Sequence, residues 1–107
     1  MPKPISSKEK RWEYNCNLTF NGYQITKFTI TDYFQKHEKH GITRKLIVEL
    51  VKMLDHKKIK FLDDYLGSRK VFLWERIPHT GKKYRLIFWF KDGTTNHLWI
   101  RNCHPQD

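Results

Sequence analysis

The sequence predicts an α+β fold, with an N-terminal hairpin and two helices packed on a C-terminal antiparallel sheet of three to four strands. Three observations carry this. Asn21-Gly22 separates two runs rich in β-branched and aromatic residues. Ile47, Leu50, Val51 and Leu54 recur at helical spacing. The last third alternates apolar with polar side chains over three runs split by turn residues. Strands and helices are thus segregated along the chain rather than alternating, which is the α+β pattern.

Residues 1–11, rich in Pro, Ser and Lys, read as a flexible basic arm, and residues 12–107 as one α+β domain. The hairpin is expected to pair Tyr14 to Phe20 with Tyr23 to Thr31, because Asn-Gly tolerates the two positive φ values of a type I′ turn. Thr31 can cap a short helix through Tyr33, Phe34 and His37, which Gly41 would end. Thr43 caps a second helix from Arg44 to about His56, with Ile47, Leu50, Val51 and Leu54 facing the core and Arg44, Lys45, Glu49 and Lys52 facing away. Lys57 to Arg69 is ambiguous, and Asp63-Asp64 and Gly67-Ser68 look like loop. The final strands span about Lys70 to Ile77, Lys83 to Phe90 and His97 to Cys103. Their alternation puts Tyr84, Leu86, Phe88 and Phe90 on one face and Arg85, Ile87 and Trp89 on the other. Leu98 and Ile100 likewise oppose His97, Trp99 and Arg101. One face is expected against the helices, the other as a partly covered aromatic and basic surface.

Charge narrows the partner. Lys and Arg number 21 against 11 Asp and Glu, a formal +10, and a field of that sign concentrates polyanions. An anionic membrane is disfavoured, because no long basic amphipathic helix is present, and the longest apolar run, Leu86 to Phe90, is far short of a span. No signal peptide is visible, and two cysteines near opposite ends read as reduced thiols, so a cytoplasmic setting is expected.

Metal chemistry has little support. His37 and His40 are three residues apart and Cys103-His104 adds two further donors, but neither HExxH nor CxxC occurs. No metal and no cofactor are expected. The constellation that stands out is cationic and imidazole-rich: His37, His40, Lys82, Lys83, Arg85, Arg101 and His104, with Trp89 and Trp99 nearby and Arg76 as a further cation. Metal-free RNA cleavage needs a base for the 2′-OH, fixed cations for the phosphorane and an acid for the leaving 5′-oxygen. Histidine titrates near neutrality, arginine forks onto phosphate oxygens, and aromatic faces stack on unpaired bases.

The stretch Lys36-His37-Glu38-Lys39-His40-Gly41-Ile42-Thr43, leading into Lys45-Leu46-Ile47, resembles the BrnT toxins and related RelE-like small proteins. The run Tyr84-Arg85-Leu86-Ile87-Phe88 is similar to their middle strand, and Trp99 to His104 to their basic last strand. The resemblance covers roughly Thr29 to His104. It implies a ribonuclease toxin of the barnase–colicin–RelE type of fold, neutralised by an antitoxin or immunity protein. It would put His37 or His40 at the helix edge of the site, Arg85 on the phosphate, and Arg101 and His104 on the last strand. The Asn21-Gly22 hairpin is an extra element relative to compact RelE-like toxins, and the last strand lacks the Tyr of several relatives.

The function expected is therefore a metal-independent endoribonuclease acting on RNA, such as tRNA or ribosome-bound mRNA, either free-standing or as a toxin domain delivered to a target cytoplasm. Its catalytic candidates are His37, His40, Arg85, Arg101 and His104, and its binding candidates Lys82, Lys83, Trp89, Trp99 and Arg76. The alternatives are a non-catalytic nucleic-acid-binding or regulatory protein, and a basic inhibitor-like protein-interaction module.

Overall fold

In a computed structural model, which describes residues 10–65 and 69–106, two strands lead into two short helices and four further strands follow. The strands are β1 (Arg11–Phe20), β2 (Tyr23–Thr31), β3 (Phe61–Tyr65), β4 (Arg69–His79), β5 (Lys82–Phe90) and β6 (His97–Gln106). Between β2 and β3 lie a 3-10 helix, Asp32–His40, and α1, Arg44–Lys52. The fold is α+β, with one mostly antiparallel sheet.

That sheet has the order β1-β2-β6-β5-β4-β3 and departs from expectation in three ways. It has six strands rather than three to four. The hairpin does not pack on it but extends it: β2 runs parallel to β6, pairing Lys27, Phe28, Thr29 and Ile30 with His97, Leu98, Trp99 and Ile100. A hairpin alone leaves the donors and acceptors of both edges open, and β6 satisfies one of them. Finally, Asp63-Asp64 lie in β3, which pairs with β4, rather than in a loop. Gly67-Ser68 fall outside the described residues.

The turn chemistry is as the sequence predicts. Asn21 and Gly22 have φ values of 50° and 82°, the pair of positive values that a type I′ hairpin needs. Asn21 also ties the turn to the chain before β3: its Nδ2 donates to Ile59 O at 2.8 Å and its Oδ1 accepts from Ile59 N at 2.7 Å. The expected arm lies outside the described residues up to position 9. Its last residue, Arg11, already opens β1, and Lys10 is held by Asp32, whose Oδ2 accepts from Lys10 N at 3.0 Å.

Thr43 caps α1, its side chain accepting from Leu46 N at 3.1 Å. Thr31 makes no such bond, so its expected cap is a correction. The segment after it buries only Phe34, too little apolar surface to hold a full α-helix, and it winds as a 3-10 helix ending at Gly41, φ 86°. From α1, Leu46, Ile47, Leu50 and Val51 join one hydrophobic cluster with Phe20, Phe28, Ile30, Phe72, Leu86, Phe88, Leu98 and Ile100 of the strands. Phe20 is fully buried at its centre, 5.1 Å from the Phe72 ring and 5.8 Å from the Phe88 ring. Burying a side chain of that size stabilises by about 1.5–3 kcal/mol.

Val71 and Trp89 are buried outside that cluster, on the opposite face. A row Val71–Trp89–Trp99–Thr29 crosses four strands there. Two bulges flank β5 on this side. Glu75 and Arg76 of β4 together face the single Arg85, between the pairs Trp74↔Leu86 and Ile77↔Tyr84, and Arg101 is the extra residue on β6, between Ile100 and Asn102. A bulge bends its strand and re-aims its side chains, and the one in β4 lies opposite Arg85. No helix among the described residues is long and apolar enough to cross a membrane.

Candidate functional site

Arg85 faces away from the core because its neighbours Tyr84 and Leu86 face into it. Its partner across the strands is His104 on β6, and residues directly opposite share a face. The Arg85 Nη1 lies 3.6 Å from Glu75 Oε2. Its Nε is buried and, among the described residues, has no hydrogen-bond partner. Buried donors are nearly always satisfied, so an unpaired guanidinium N–H next to an imidazole marks a place for an acceptor.

The 3-10 helix brings the second imidazole. It runs beside the far half of β6, where β2 has ended, and sets the His37 ring 4.9 Å from that of His104. His40, one turn on, lies 6.4 Å from His37. Asn102 Nδ2 donates to His104 Nε2 at 3.2 Å, which assigns that nitrogen as an acceptor in the neutral ring. Burial holds the His104 pKa below its ordinary 6.5, and the charges of Arg85 and His37 lower it further. These causes all favour the neutral ring of His104. Next to it, Tyr33 lies under two cations: Arg101 sits 4.0 Å and Lys36 3.9 Å from its ring centre. A hydrogen bond from Lys36, its charge and that of Arg101 pull the phenol pKa down.

Two clefts lie at the ends of this cluster. One, of about 690 Å³, is lined by Lys39, His40, Gly41, Gly81, Lys82, Lys83, Pro105 and Gln106. The other, of about 340 Å³, is lined by Arg11, Trp89, Lys91, Asp92 and Trp99, with the Arg11 guanidinium 5.0 Å from the Trp99 ring centre.

Of the residues singled out in the sequence, His37, Arg85 and His104 come together. Arg101 stands on the adjoining bulge. His40 joins Lys82 and Lys83 in the larger cleft, and Trp89 and Trp99 line the smaller one. Arg76 is exposed on the β4 bulge with φ 56°, its N–H donating to Gln106 Oε1 at 2.6 Å, and does not reach the cluster by any contact seen. Sequence reasoning missed Glu75, Asn102, Tyr33 and Arg11. Glu75 becomes visible only once the β4–β5 register is known, since the bulge shifts it onto Arg85. Among the described residues no three His, Cys, Asp or Glu side chains converge as a metal site. The cysteines are free, and burial pushes the Cys103 thiol up to about 12, outside nucleophilic range.

Comparisons with protein-family models, curated proteins and solved structures found no match for this chain.

Proposed function

We propose that the protein is a metal-independent endoribonuclease, cutting RNA by attack of a 2′-hydroxyl on the adjacent phosphorus. The observation that carries this is the approach of the His37 and His104 rings to 4.9 Å beside Arg85. Two imidazoles that close resist carrying two positive charges at once, which suits a scheme in which one ring accepts a proton and the other donates one. His104, whose neutral ring burial and its cationic neighbours favour, takes the proton from the 2′-OH at Nε2, its one lone pair, as the hydroxyl displaces the Asn102 amide there and the oxygen attacks. The phosphorane's charge falls to Arg85, whose buried Nε–H gains an acceptor, and to Arg101. His37 protonates the departing 5′-oxygen. Products are a 2′,3′-cyclic phosphate and a 5′-hydroxyl, and DNA is inert because it lacks the nucleophile. Glu75, on Arg85, is a positioning residue that holds the guanidinium toward the pair.

Such an activity in a cytoplasm calls for restraint, and an acidic neutralising protein covering the basic face is the partner proposed. A second reading, nucleic-acid binding without cleavage, is favoured by the Arg11–Trp99 cleft, which needs no histidine.

Substitution separates the two. Cleavage of a fluorogenic RNA by His37→Ala or His104→Ala is expected to fall by about 10²–10⁴, and by Arg85→Ala by about 10²–10³. His40→Ala is expected to lose less than tenfold. If His37→Ala, His40→Ala and His104→Ala all keep full activity, the acid–base scheme is wrong.

A further inference from the structure

Cationic and aromatic features follow one another along the length of β5. At its start, the larger cleft presents Lys39, His40, Lys82 and Lys83 and has no carboxylate in its lining. In the middle stand Arg85 and His104. At its end, the smaller cleft holds Trp89 and Trp99, paired across the strands, with Arg11, Lys91 and the carboxylate of Asp92. At a strand rise of about 3.4 Å per residue, Arg85 is roughly 14 Å from Trp89 and roughly 7–10 Å from Lys83 and Lys82. That is too far for one nucleotide to span and well matched to a short run of them.

We infer that this line is a track for a single-stranded polynucleotide, with a phosphate subsite at Lys82–Lys83 and a base-stacking subsite at Trp99. It rests on the ribonuclease reading only for what happens in the middle. The ends differ in chemistry, and that difference orders them. Ammonium groups with no acid among them suit a phosphate oxygen. The half-exposed Trp99 indole suits a base, because a ring face attracts any unpaired base, and Asp92 offsets one of the two cations, Arg11 and Lys91, that favour phosphate. Arg11 lies over Trp99 but is exposed at the first position of β1, so it can lift from the ring and close on the other side of an entering base. A duplex cannot enter this subsite, since its base faces are already stacked.

The test is fluorescence anisotropy with uncleavable 2′-O-methyl RNA of two, four and six nucleotides. Wild-type affinity is expected to tighten at least tenfold from two nucleotides to six, and a duplex of the same sequence to bind at least tenfold more weakly than the six-nucleotide strand. Trp99→Ala should remove most of the gain with length and Trp99→Phe restore it, which separates stacking from misfolding. Lys82→Ala with Lys83→Ala, both exposed, should reduce the slope of log affinity against log salt by about 1 to 2. Affinity independent of length, or Trp99→Ala binding as wild type does, overturns the track. Cleavage is scored separately on unmodified RNA. Length-dependent binding with no cutting retires the nuclease reading and keeps the track, whereas cutting with length-independent affinity does the reverse.

Discussion

His104 shows how a few neighbours set the chemistry of one side chain. Its strand places it opposite a fixed cation, a neighbouring helix places a second imidazole against it, and Asn102 occupies its Nε2. Burial, Arg85 and His37 all push its pKa the same way, below 6.5. The expected outcome of an NMR titration is a His104 midpoint under 6.5 that rises toward it in His37→Gln, where one of the repelling charges is gone. A wild-type midpoint at or above 6.5 contradicts the assignment of His104 as the base. The sign carries over to stability. A histidine whose folded pKa is lowered binds fewer protons than in the unfolded chain between the two pKa values. Its contribution is therefore complete above 6.5 and is lost as pH falls through that window. Buried His97, lowered mainly by its burial and then by Lys91, adds in the same direction.

At the scale of elements, the Asn21-Gly22 hairpin has two jobs: it turns the chain and it anchors the segment before β3 through both atoms of the Asn21 amide. Asn21→Ala leaves the N–H and C=O of Ile59 without these partners and puts an alanine at φ 50°, and should cost about 1–3 kcal/mol in urea unfolding. It should leave any cleavage by the folded protein unchanged, since the bonds of its amide run to Ile59 and not to His37, Arg85 or His104. Elements defined by local pattern were legible in the sequence: this turn, the Thr43 cap, the alternation of β5. What depended on distant pairing was not. The parallel join of β2 to β6 matches Lys27 with His97 across the rest of the fold, and no periodicity records it. β3 was hidden because Asp63-Asp64 interrupt its apolar run, and Arg11 because its Pro- and Lys-rich neighbourhood reads as an arm. In the site, His37, Arg85 and His104 could be named by residue type, but Glu75 could not, since only the bulge in β4 brings it to Arg85.

Across the whole molecule, the formal charge of +10 acquires a direction. Residues of α1 and of the strands share one hydrophobic cluster, while arginines, lysines, histidines and two tryptophans follow the length of β5. Under the proposed function, a general preference for polyanions becomes a groove with a reactive middle. In the proposed mechanism the histidine pair turns bound RNA into cut RNA without a metal. The most direct measurement is incubation of the purified protein with total RNA in excess EDTA, followed by end-group analysis of the fragments. Cleavage undiminished by EDTA is expected, with 2′,3′-cyclic phosphate and 5′-hydroxyl ends that disappear in His104→Ala. Intact RNA, or fragments carrying 5′-phosphate and 3′-hydroxyl ends, would contradict it.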